Sequence, residues 1–298
     1  MARSSSTEGP IPGMEYRRLE LRGADYLVAT AGSGPPLLLL HGFPQTHYCW
    51  RRIVAALAER HLIIAPDLRG YGATSAPRGG PKGEGYTNRD LANDLVELVE
   101  ALVIERLAVA GHDRGARVAY RLALDHPDRV ERLAVLNVVP TIDQFERMGA
   151  GPSLGYWTWF LLAQPAPFPE RLIAAEHEHF LRFVFDSWTE DPSAIDDDAF
   201  EVYLEALSDE TIASMCADFR ASFFLDREHD LADRRAGRRI ECPLLVIAGA
   251  AEAQLADAPD VWRKWAVDVR AETVPSGHFN PEEAPQEVAA ALQAFLTS

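Results

Sequence analysis

The stretch LAVAGHDRGAR, residues 107–117, decides the fold of this 298-residue chain. Its first four residues are apolar and predict a buried strand, and the residues from Ala116 to Leu124 have helical spacing. Between them, Gly111 and Gly115 let the chain turn sharply, because glycine lacks the Cβ that crowds a tight bend. A strand, a sharp turn and a helix in direct succession predict an α/β architecture with Asp113 exposed at the turn.

Other short apolar runs are spaced along the chain in the same way. They are Leu37–Leu40, Leu62–Ala65, Leu133–Leu136 and Leu244–Ala248, with a last strand expected at Ala271–Val274. Amphipathic segments such as Arg89–Ala101 separate most of them, and a helix is expected over Glu282–Leu296. This alternation predicts a parallel sheet with helices on both faces.

The alternation breaks after Asn137, where a segment rich in Trp, Phe, Pro and acidic residues precedes the next strand. We predict that residues 138–239 form a helical cap inserted into a core made of residues 15–137 and 240–298. The helices expected in the cap are Glu170–Phe185, Asp198–Leu207 and Glu210–Phe224. Residues 1–14, rich in Ser, Gly and Pro, are predicted to be a loose tail.

Composition excludes several classes of partner. A formal net charge of -16, from 45 acidic against 29 basic residues, argues against nucleic acid or an anionic membrane surface. The longest apolar run is far below the roughly 20 residues that cross a bilayer. The three cysteines are odd in number and lack C-x-x-C spacing, which is typical of a reducing compartment, so we expect a cytoplasmic protein without a disulfide scaffold.

Asp113 occupies the position from which a nucleophile would project above the sheet. A carboxylate can displace a leaving group from an sp3 carbon, and water must then cleave the resulting ester of the enzyme. The alternative is that Asp113 is only a helix N-cap, which the flanking glycines do not exclude.

The cleavage of such an ester needs a base and an oxyanion hole. His278 follows the last expected strand, where this architecture delivers a histidine to the nucleophile. The motif HGFP, residues 41–44, follows an earlier strand, so the backbone amides of Phe43 and Arg114 are expected to bind the oxyanion. An isolated motif of this kind would also be compatible with a plain tight turn.

Two arginines follow the nucleophile, and Arg117 lies one helical turn beyond Asp113 on the same face. One interpretation is that Arg114 and Arg117 compensate the charge of a partly buried Asp113. The other is that they clamp a substrate carboxylate, since guanidinium groups pair with carboxylates in bidentate fashion. The residues alone leave both interpretations open.

Long motifs in a fixed order run through nearly the whole chain. They are HGFPQTH (41–47), PDLRGYG (66–72), GHDRGAR (111–117), LAQPAP (162–167), VWRKWA (261–266) and SGHF (276–279). Together they resemble the fluoroacetate dehalogenases, a branch of the α/β hydrolases related to epoxide hydrolases. The resemblance implies an α/β-hydrolase fold, in which helices flank a mostly parallel eight-stranded sheet and a helical cap is inserted.

The resemblance also implies roles for single residues. Asp113 would be the nucleophile, His278 the base for water, Arg114 and Arg117 the holders of the substrate carboxylate, and Trp159 a hydrogen-bond donor to the halide. It implies a small anionic organic substrate, no metal or organic cofactor, and a homodimer.

The chain departs from the family at the acid of the triad. The family has an Asp just after the sixth strand, where this chain has Asn137, and an amide does not stabilise an imidazolium as a carboxylate does. Glu252, shortly after the next strand, is the candidate replacement, because hydrolases of this fold also supply the acid from that place. Its alternative is a solvated loop glutamate.

The halide pocket departs from the family at two positions. Thr158 and Phe219 stand where the family has His and Tyr, beside the retained Trp159. Fluoride needs strong hydrogen-bond help to leave, and each missing donor costs about 2–4 kcal/mol if it acts only in the transition state. We therefore expect chloride or bromide to be released in preference to fluoride.

Three functions follow from these residues. The leading hypothesis is hydrolytic dehalogenation of a short 2-halo acid to the 2-hydroxy acid through an Asp113 ester. The second is epoxide hydrolysis with the same nucleophile, which needs cap tyrosines such as Tyr156 and Tyr203 to protonate the leaving oxygen. The third is a carboxylate-binding protein without turnover, suggested by Asn137.

Overall fold

The computed structural model describes residues 9–149 and 152–298, and its core is one eight-stranded sheet. The strands are β1 (Glu15–Leu21), β2 (Ala24–Ala31), β3 (Pro36–Leu40), β4 (Leu62–Pro66), β5 (Leu107–His112), β6 (Val130–Leu136), β7 (Leu244–Gly249) and β8 (Val269–Val274). Their order is β1-β2-β4-β3-β5-β6-β7-β8, and β2 is antiparallel to both of its neighbours while the other pairs are parallel. The predicted mostly parallel sheet is thereby confirmed.

The five apolar runs correspond to β3 to β7, and the last expected strand is β8. The first two strands were missing from the sequence reading for a physical reason. In β1, EYRRLEL, buried and exposed positions are interspersed, because an edge strand needs only one apolar face. It therefore has no continuous apolar run.

Helices cover the sheet. In chain order the α-helices are α1 (Val54–Ala58), α2 (Asn88–Ala101), α3 (Arg114–Asp125), α4 (Thr141–Arg147), α5 (Pro152–Gly155), α6 (Trp157–Leu162), α7 (Phe168–Ala175), α8 (His177–Trp188), α9 (Asp197–Glu205), α10 (Asp209–Ala221), α11 (Arg227–Ala236), α12 (Ala258–Trp262), α13 (Asn280–Glu283) and α14 (Pro285–Leu296). Shorter 3₁₀ segments are His47–Trp50, Pro192–Ala194 and Ala253–Leu255. Along β3, Leu38 and Leu40 enter one apolar cluster while Leu37 and Leu39 enter another, so both faces of the sheet are buried.

Helices α4 to α11 lie between β6 and β7, within the segment predicted to be inserted. The expected helix over Glu170–Phe185 is two helices, α7 and α8, because the backbone of Glu176 (φ -143°, ψ 46°) is not helical. The expected helix over Glu210–Phe224 is α10 followed by a π-helical segment, Ser222–Asp226. The expected C-terminal helix is likewise split at Ala284, which precedes a proline and is therefore driven away from the helical region.

Buried ion pairs attach the inserted helices to α3. Arg114 pairs with Asp218 of α10, and Arg121 pairs with Asp230 and Asp233 of α11. Removing one partner of such a pair would leave an uncompensated charge in the interior, which costs about 3–5 kcal/mol. These contacts fix α10 and α11 directly above the helix that begins at the turn of Asp113.

The N-terminal segment and the cysteines complete the fold. Residues 1–8 of the predicted tail lie outside the described residues, whereas Ile11 and Met14 are buried against the core. All three cysteines are free. Among the described residues, no helix combines the length and the apolar character that crossing a membrane requires.

Candidate active site

Asp113 lies in a strained turn between β5 and α3. Its backbone (φ 47°, ψ -113°) is in a region that L-residues rarely adopt. The turn is possible because the flanking positions 111 and 115 are glycines, since a Cβ on Gly115 would lie 2.2 Å from the carbonyl oxygen of Leu40. Within the described part of α3, the Asp113 side chain makes no capping hydrogen bond, so the N-cap alternative has no support.

The HGFP motif brings a backbone donor to this carboxylate. The amide of Phe43 donates to Oδ1 of Asp113 at 2.9 Å. The segment approaches so closely that a Cβ on Gly42 would lie 2.6 Å from the Cβ of Asp113. Arg114 is the first residue of α3, where amides have no acceptor inside the helix. Both amides of the predicted oxyanion hole are thus adjacent to Asp113.

His278 faces the other carboxylate oxygen. Its Nε2 lies 3.8 Å from Oδ2 of Asp113. Burial lowers the pKa of His278 to about 3, and His112 and Arg117 act in the same direction while Asp113 opposes them. The imidazole is therefore neutral at neutral pH and able to accept a proton.

Asp113 itself is ionised. Burial acts to raise its pKa, but the neighbouring His278, His112 and the two arginines outweigh that effect, so the pKa of Asp113 is lowered from its usual value. A charged carboxylate beside a neutral imidazole is the state in which the first can attack a carbon and the second can later activate water.

The two arginines have different surroundings. Arg114 is buried, with Nε 2.8 Å from Asp218 Oδ2 and Nη2 2.7 Å from the Ser222 hydroxyl. Arg117 lines the cavity above Asp113, and its Nη1 donates to the carbonyl of Val139 at 3.0 Å. Of these two arginines, Arg117 lines the cavity and Arg114 does not.

The cavity has a volume of about 590 Å³ and combines aromatic walls with several polar and charged side chains. It is lined by Asp113, Arg117, Asn137, Gln144, Gly155, Tyr156, Trp159, Ser187, Trp188, Phe219, Glu252, Ala253, Gln254, Leu255 and His278. Within the described residues, no group of three or more His, Cys, Asp or Glu side chains could hold a metal ion.

The predicted halide residues do not all reach this cavity. Trp159 and Phe219 line it, with ring centroids 5.4 Å apart. Thr158 does not, and its hydroxyl is buried without a hydrogen-bond partner among the described residues. The two residues are neighbours on the short helix α6, and the helix turns Trp159 rather than Thr158 toward the cavity.

The two candidates for the triad acid also differ. Within the described residues, the side chain of Asn137 makes hydrogen bonds to backbone groups alone, among them the carbonyl of His278. Glu252 lines the cavity, and burial, with Glu283 and Asp113 nearby, raises its pKa to about 7. Its carboxylate accepts a hydrogen bond from Gln254, and no hydrogen bond or ion pair joins it to His278 in the described chain.

The sequence reading missed several residues around the histidine. Trp188 packs its ring 5.1 Å from that of His278, and the Nε2 atom of His112 lies 2.7 Å from the His278 carbonyl oxygen. Glu283 accepts hydrogen bonds from the amides of Gly277 and Phe279. His112 stands inside the motif GHDRGAR and Glu283 lies four residues after the motif SGHF, whereas nothing in the sequence marked Trp188.

The chain is similar to known proteins over most of its length. Residues 35–285 match the family described as alpha/beta hydrolase fold. A fluoroacetate dehalogenase from Burkholderia sp is 38% identical over 289 residues, which cover 96% of this chain and 94% of that protein. A soluble epoxide hydrolase from Corynebacterium sp. (strain C12) is 34% identical over 264 residues, 87% of this chain and 89% of that protein. The crystal structure of ALR0039 from Nostoc sp PCC 7120 superposes with a TM-score of 0.92 and 41% identity, covering 95% of this chain and 98% of that one.

Proposed function

Because this chain belongs to the alpha/beta hydrolase fold family, we propose that it hydrolyses the carbon–halogen bond of a 2-halo acid and releases the 2-hydroxy acid. One observation carries the proposal. An ionised Asp113 faces a neutral His278 at 3.8 Å in a cavity that Arg117 also lines. This combination suits a reaction in which a carboxylate attacks an anionic substrate and a base then activates water.

In the first step, Oδ2 of Asp113 attacks the carbon that bears the halogen. The new C–O bond forms as the carbon–halogen bond breaks, and the halide leaves with the electron pair. Oδ1 becomes the carbonyl oxygen of the ester and keeps its hydrogen bond from the Phe43 amide. His278 takes no part in this step.

In the second step, water attacks Cγ of the Asp113 ester and gives a proton to Nε2 of His278. Negative charge then develops on Oδ1, where the amides of Phe43 and Arg114 stabilise it. Collapse of this intermediate releases the hydroxy acid, whose oxygen takes the proton back from the imidazolium. Asp113 is left as a carboxylic acid that ionises, so one proton and one halide ion are released per turnover.

Arg117 and the aromatic walls select the substrate. The guanidinium of Arg117 stays charged at neutral pH and pairs with the substrate carboxylate, while Trp159 and Phe219 surround the halogen. The cavity of about 590 Å³ has room for more than haloacetate. We therefore include 2-halo acids with a larger substituent in the proposed substrate class.

The test is halide release measured by ion chromatography. The purified protein is incubated separately with fluoroacetate, chloroacetate, bromoacetate, 2-bromopropionate and 2-bromo-2-phenylacetate, and the Asp113→Ala protein is the control. We expect bromide and chloride release that the control lacks, with fluoride release much slower. Equal release by the two proteins would contradict the role of Asp113.

Epoxide hydrolysis is a second candidate, supported by the Corynebacterium relative and by one tyrosine. Tyr156 lines the cavity and offers a hydroxyl to a leaving oxygen. Tyr203 does not line it, and its hydroxyl bonds to Glu282 and accepts from Gln45 at 3.2 Å. Diol formation from styrene oxide that the Tyr156→Phe protein has lost would favour this function over dehalogenation. Binding of haloacetate without release of halide or diol would instead favour the non-catalytic alternative.

A further inference from the structure

We propose that Asn137 is a positioning residue whose amide holds the backbone of the His278 loop, and that a carboxylate at this position would impair His278. The inference rests on the proposed two-step hydrolysis, since His278 acts in the second step only. Asn137 stands where the sequence departs from the dehalogenases, which have the Asp of the triad there. Introducing an Asp at this position would be expected to raise the activity, whereas we expect it to lower the activity.

The hydrogen bonds that the Asn137 side chain makes in the described part of the chain go to backbone groups. Its Nδ2 donates to the carbonyl of Gly277 at 2.9 Å and to the carbonyl of His278 at 2.7 Å. Its Oδ1 accepts from the amide of Gly249, at the end of β7, at 2.8 Å. The side chain therefore connects the end of one strand to the loop that carries the histidine.

The chemistry of the partners fixes the orientation of this amide. The backbone N–H of Gly249 can only donate, and the two loop carbonyls can only accept. The amide must therefore point its oxygen at Gly249 and its nitrogen at the loop. The backbone of Asn137 is left-handed (φ 55°), a conformation that Asn tolerates better than most residues.

A carboxylate cannot make all three of these hydrogen bonds. One of its oxygens could still accept from Gly249, but the other would face the carbonyl oxygens of Gly277 and His278 without a proton to share. Three oxygen atoms would then repel one another in a buried place, where such repulsion is weakly screened. Either the loop moves away and carries His278 with it, or the new carboxyl group binds a proton.

The remaining groups of the loop are held from the opposite side. Glu283 accepts hydrogen bonds from the amides of Gly277 at 3.0 Å and Phe279 at 2.9 Å, and from the amide of Glu190 in the insertion at 2.8 Å. The amide of His278 donates to the carbonyl of Trp188 at 2.9 Å. Donors of the loop thus meet oxygens, and its carbonyls meet the amide of Asn137, with Nε2 of His112 a second partner 2.7 Å from the carbonyl oxygen of His278. The histidine is placed through its backbone, while its ring contacts no carboxylate closer than Asp113 Oδ2 in the described chain.

The experiment is the Asn137→Asp protein, followed by intact-protein mass spectrometry and by halide release from bromoacetate. We expect the first step to proceed normally, so that the ester accumulates, while steady-state bromide release falls about 10- to 100-fold because His278 is displaced. The ratio of variant to wild-type activity should rise at low pH, where the new carboxyl group can be protonated and donate. If the new carboxylate acted as the acid of the triad, the opposite would be observed. The activity of the Asn137→Asp protein would equal or exceed that of wild type and would be highest at pH values where the carboxylate is ionised.

The matched control is Asn93→Asp, which makes the same change on α2, where the amide oxygen of Asn93 bonds to His126. It should leave the activity unchanged. The Glu283→Gln protein tests the other side of the loop, with the exposed Glu287→Gln as its control, and we expect it to accumulate ester as well. Should the Asn137→Asp protein fail to fold, Glu283→Gln decides, and full wild-type turnover by it would overturn the inference.

Failure of the inference differs from failure of the proposed function. If wild type releases no halide and His278→Asn forms no ester, the function is wrong. If wild type turns over and Asn137→Asp is as fast or faster, the function stands and the positioning role is wrong. A crystal structure of the Asn137→Asp protein gives a readout independent of turnover. We expect the carbonyl of His278 to have moved away from residue 137, and an unmoved loop would overturn the inference.

Discussion

The guanidinium carbon of Arg117 lies 4.6 Å from the ring centroid of Trp159, and both side chains line the cavity above Asp113. A cation held over an aromatic face is positioned without using all of its hydrogen-bond donors. The Nη1 of Arg117 donates to Val139 and Thr141, whereas its Nε is buried without a partner among the described residues. Arg114 also has a buried nitrogen, Nη1, without a partner among the described residues, so the difference between the two arginines is that Arg117 lines the cavity.

Arg117→Gln should raise the KM for 2-bromopropionate more than it lowers kcat. A charge-assisted hydrogen bond to the substrate contributes about 1.5–3 kcal/mol, and it is present in the ground state as well as the transition state. Steady-state kinetics of bromide release measure both constants. Arg182→Gln on the surface of α8 is the control, and an unchanged KM for Arg117→Gln would remove this residue from substrate binding.

Arg114→Ala should act mainly on stability. The change leaves Asp218, which is buried at 1% exposure, without its cation, and this costs about 3–5 kcal/mol. Chemical denaturation measures the free energy of unfolding. The double variant Arg114→Ala/Asp218→Ala should recover part of the loss. A stable single variant with a raised KM would instead show that Arg114 binds substrate.

His278→Asn should stop the reaction after its first step. Asp113 can still displace the halide, but no group remains to take the proton from water. Intact-protein mass spectrometry after incubation with bromoacetate should show the added carboxymethyl group, and the Asp113→Ala/His278→Asn protein should not show it. Turnover at the wild-type rate by His278→Asn would refute its role as the base.

Phe219→Tyr should increase the rate of fluoride release. The ring of Phe219 lines the cavity beside Trp159, so a hydroxyl on it can donate to a halide there. We expect fluoride release from fluoroacetate to rise about 10- to 100-fold, with a smaller change for bromide. Phe145→Tyr is the control, because Phe145 packs on Trp159 at 5.2 Å from outside the cavity. An equal effect of both variants would show that the hydroxyl does not act on the halide.

Glu252→Gln should change how stability depends on pH. The pKa of Glu252 is raised from 4.5 to about 7 in the folded protein, so the folded state binds this proton more tightly than the unfolded state. That stabilisation is complete below pH 4.5 and is lost as the pH rises through 7. The variant should therefore have a higher Tm than wild type at pH 8 and a similar Tm at pH 4.5. Glu287→Gln, on the surface of α14, should show no such pH-dependent difference in Tm from wild type. If Glu252→Gln also showed none, the carboxyl group of Glu252 would be ionised throughout this pH range.

Much of the fold and part of the site were predictable from sequence because they depend on neighbouring residues. The apolar runs predicted β3 to β8. The turn around Asp113 and the loop of His278 are each formed by consecutive residues, so both could be predicted from their motifs. The strands β1 and β2 were not found, because both mix buried positions with partly or fully exposed ones and so lack the continuous apolar run of the central strands. The break at Glu176 was likewise invisible, because neither proline nor glycine marks it.

The sequence by itself determined which residues occupy the turn, the histidine loop and the strand ends, because a parallel sheet brings its carboxyl edges together. Only the tertiary structure decided which distant segments of the chain contact these residues. Asp218, far along the chain, pairs with the guanidinium of Arg114, and Arg117 rather than Arg114 lines the cavity. The amide of Asn137 meets the carbonyls of a loop that lies 140 residues further on. Such contacts depend on where distant segments pack, and a hydrogen bond over that distance leaves no local pattern in the sequence.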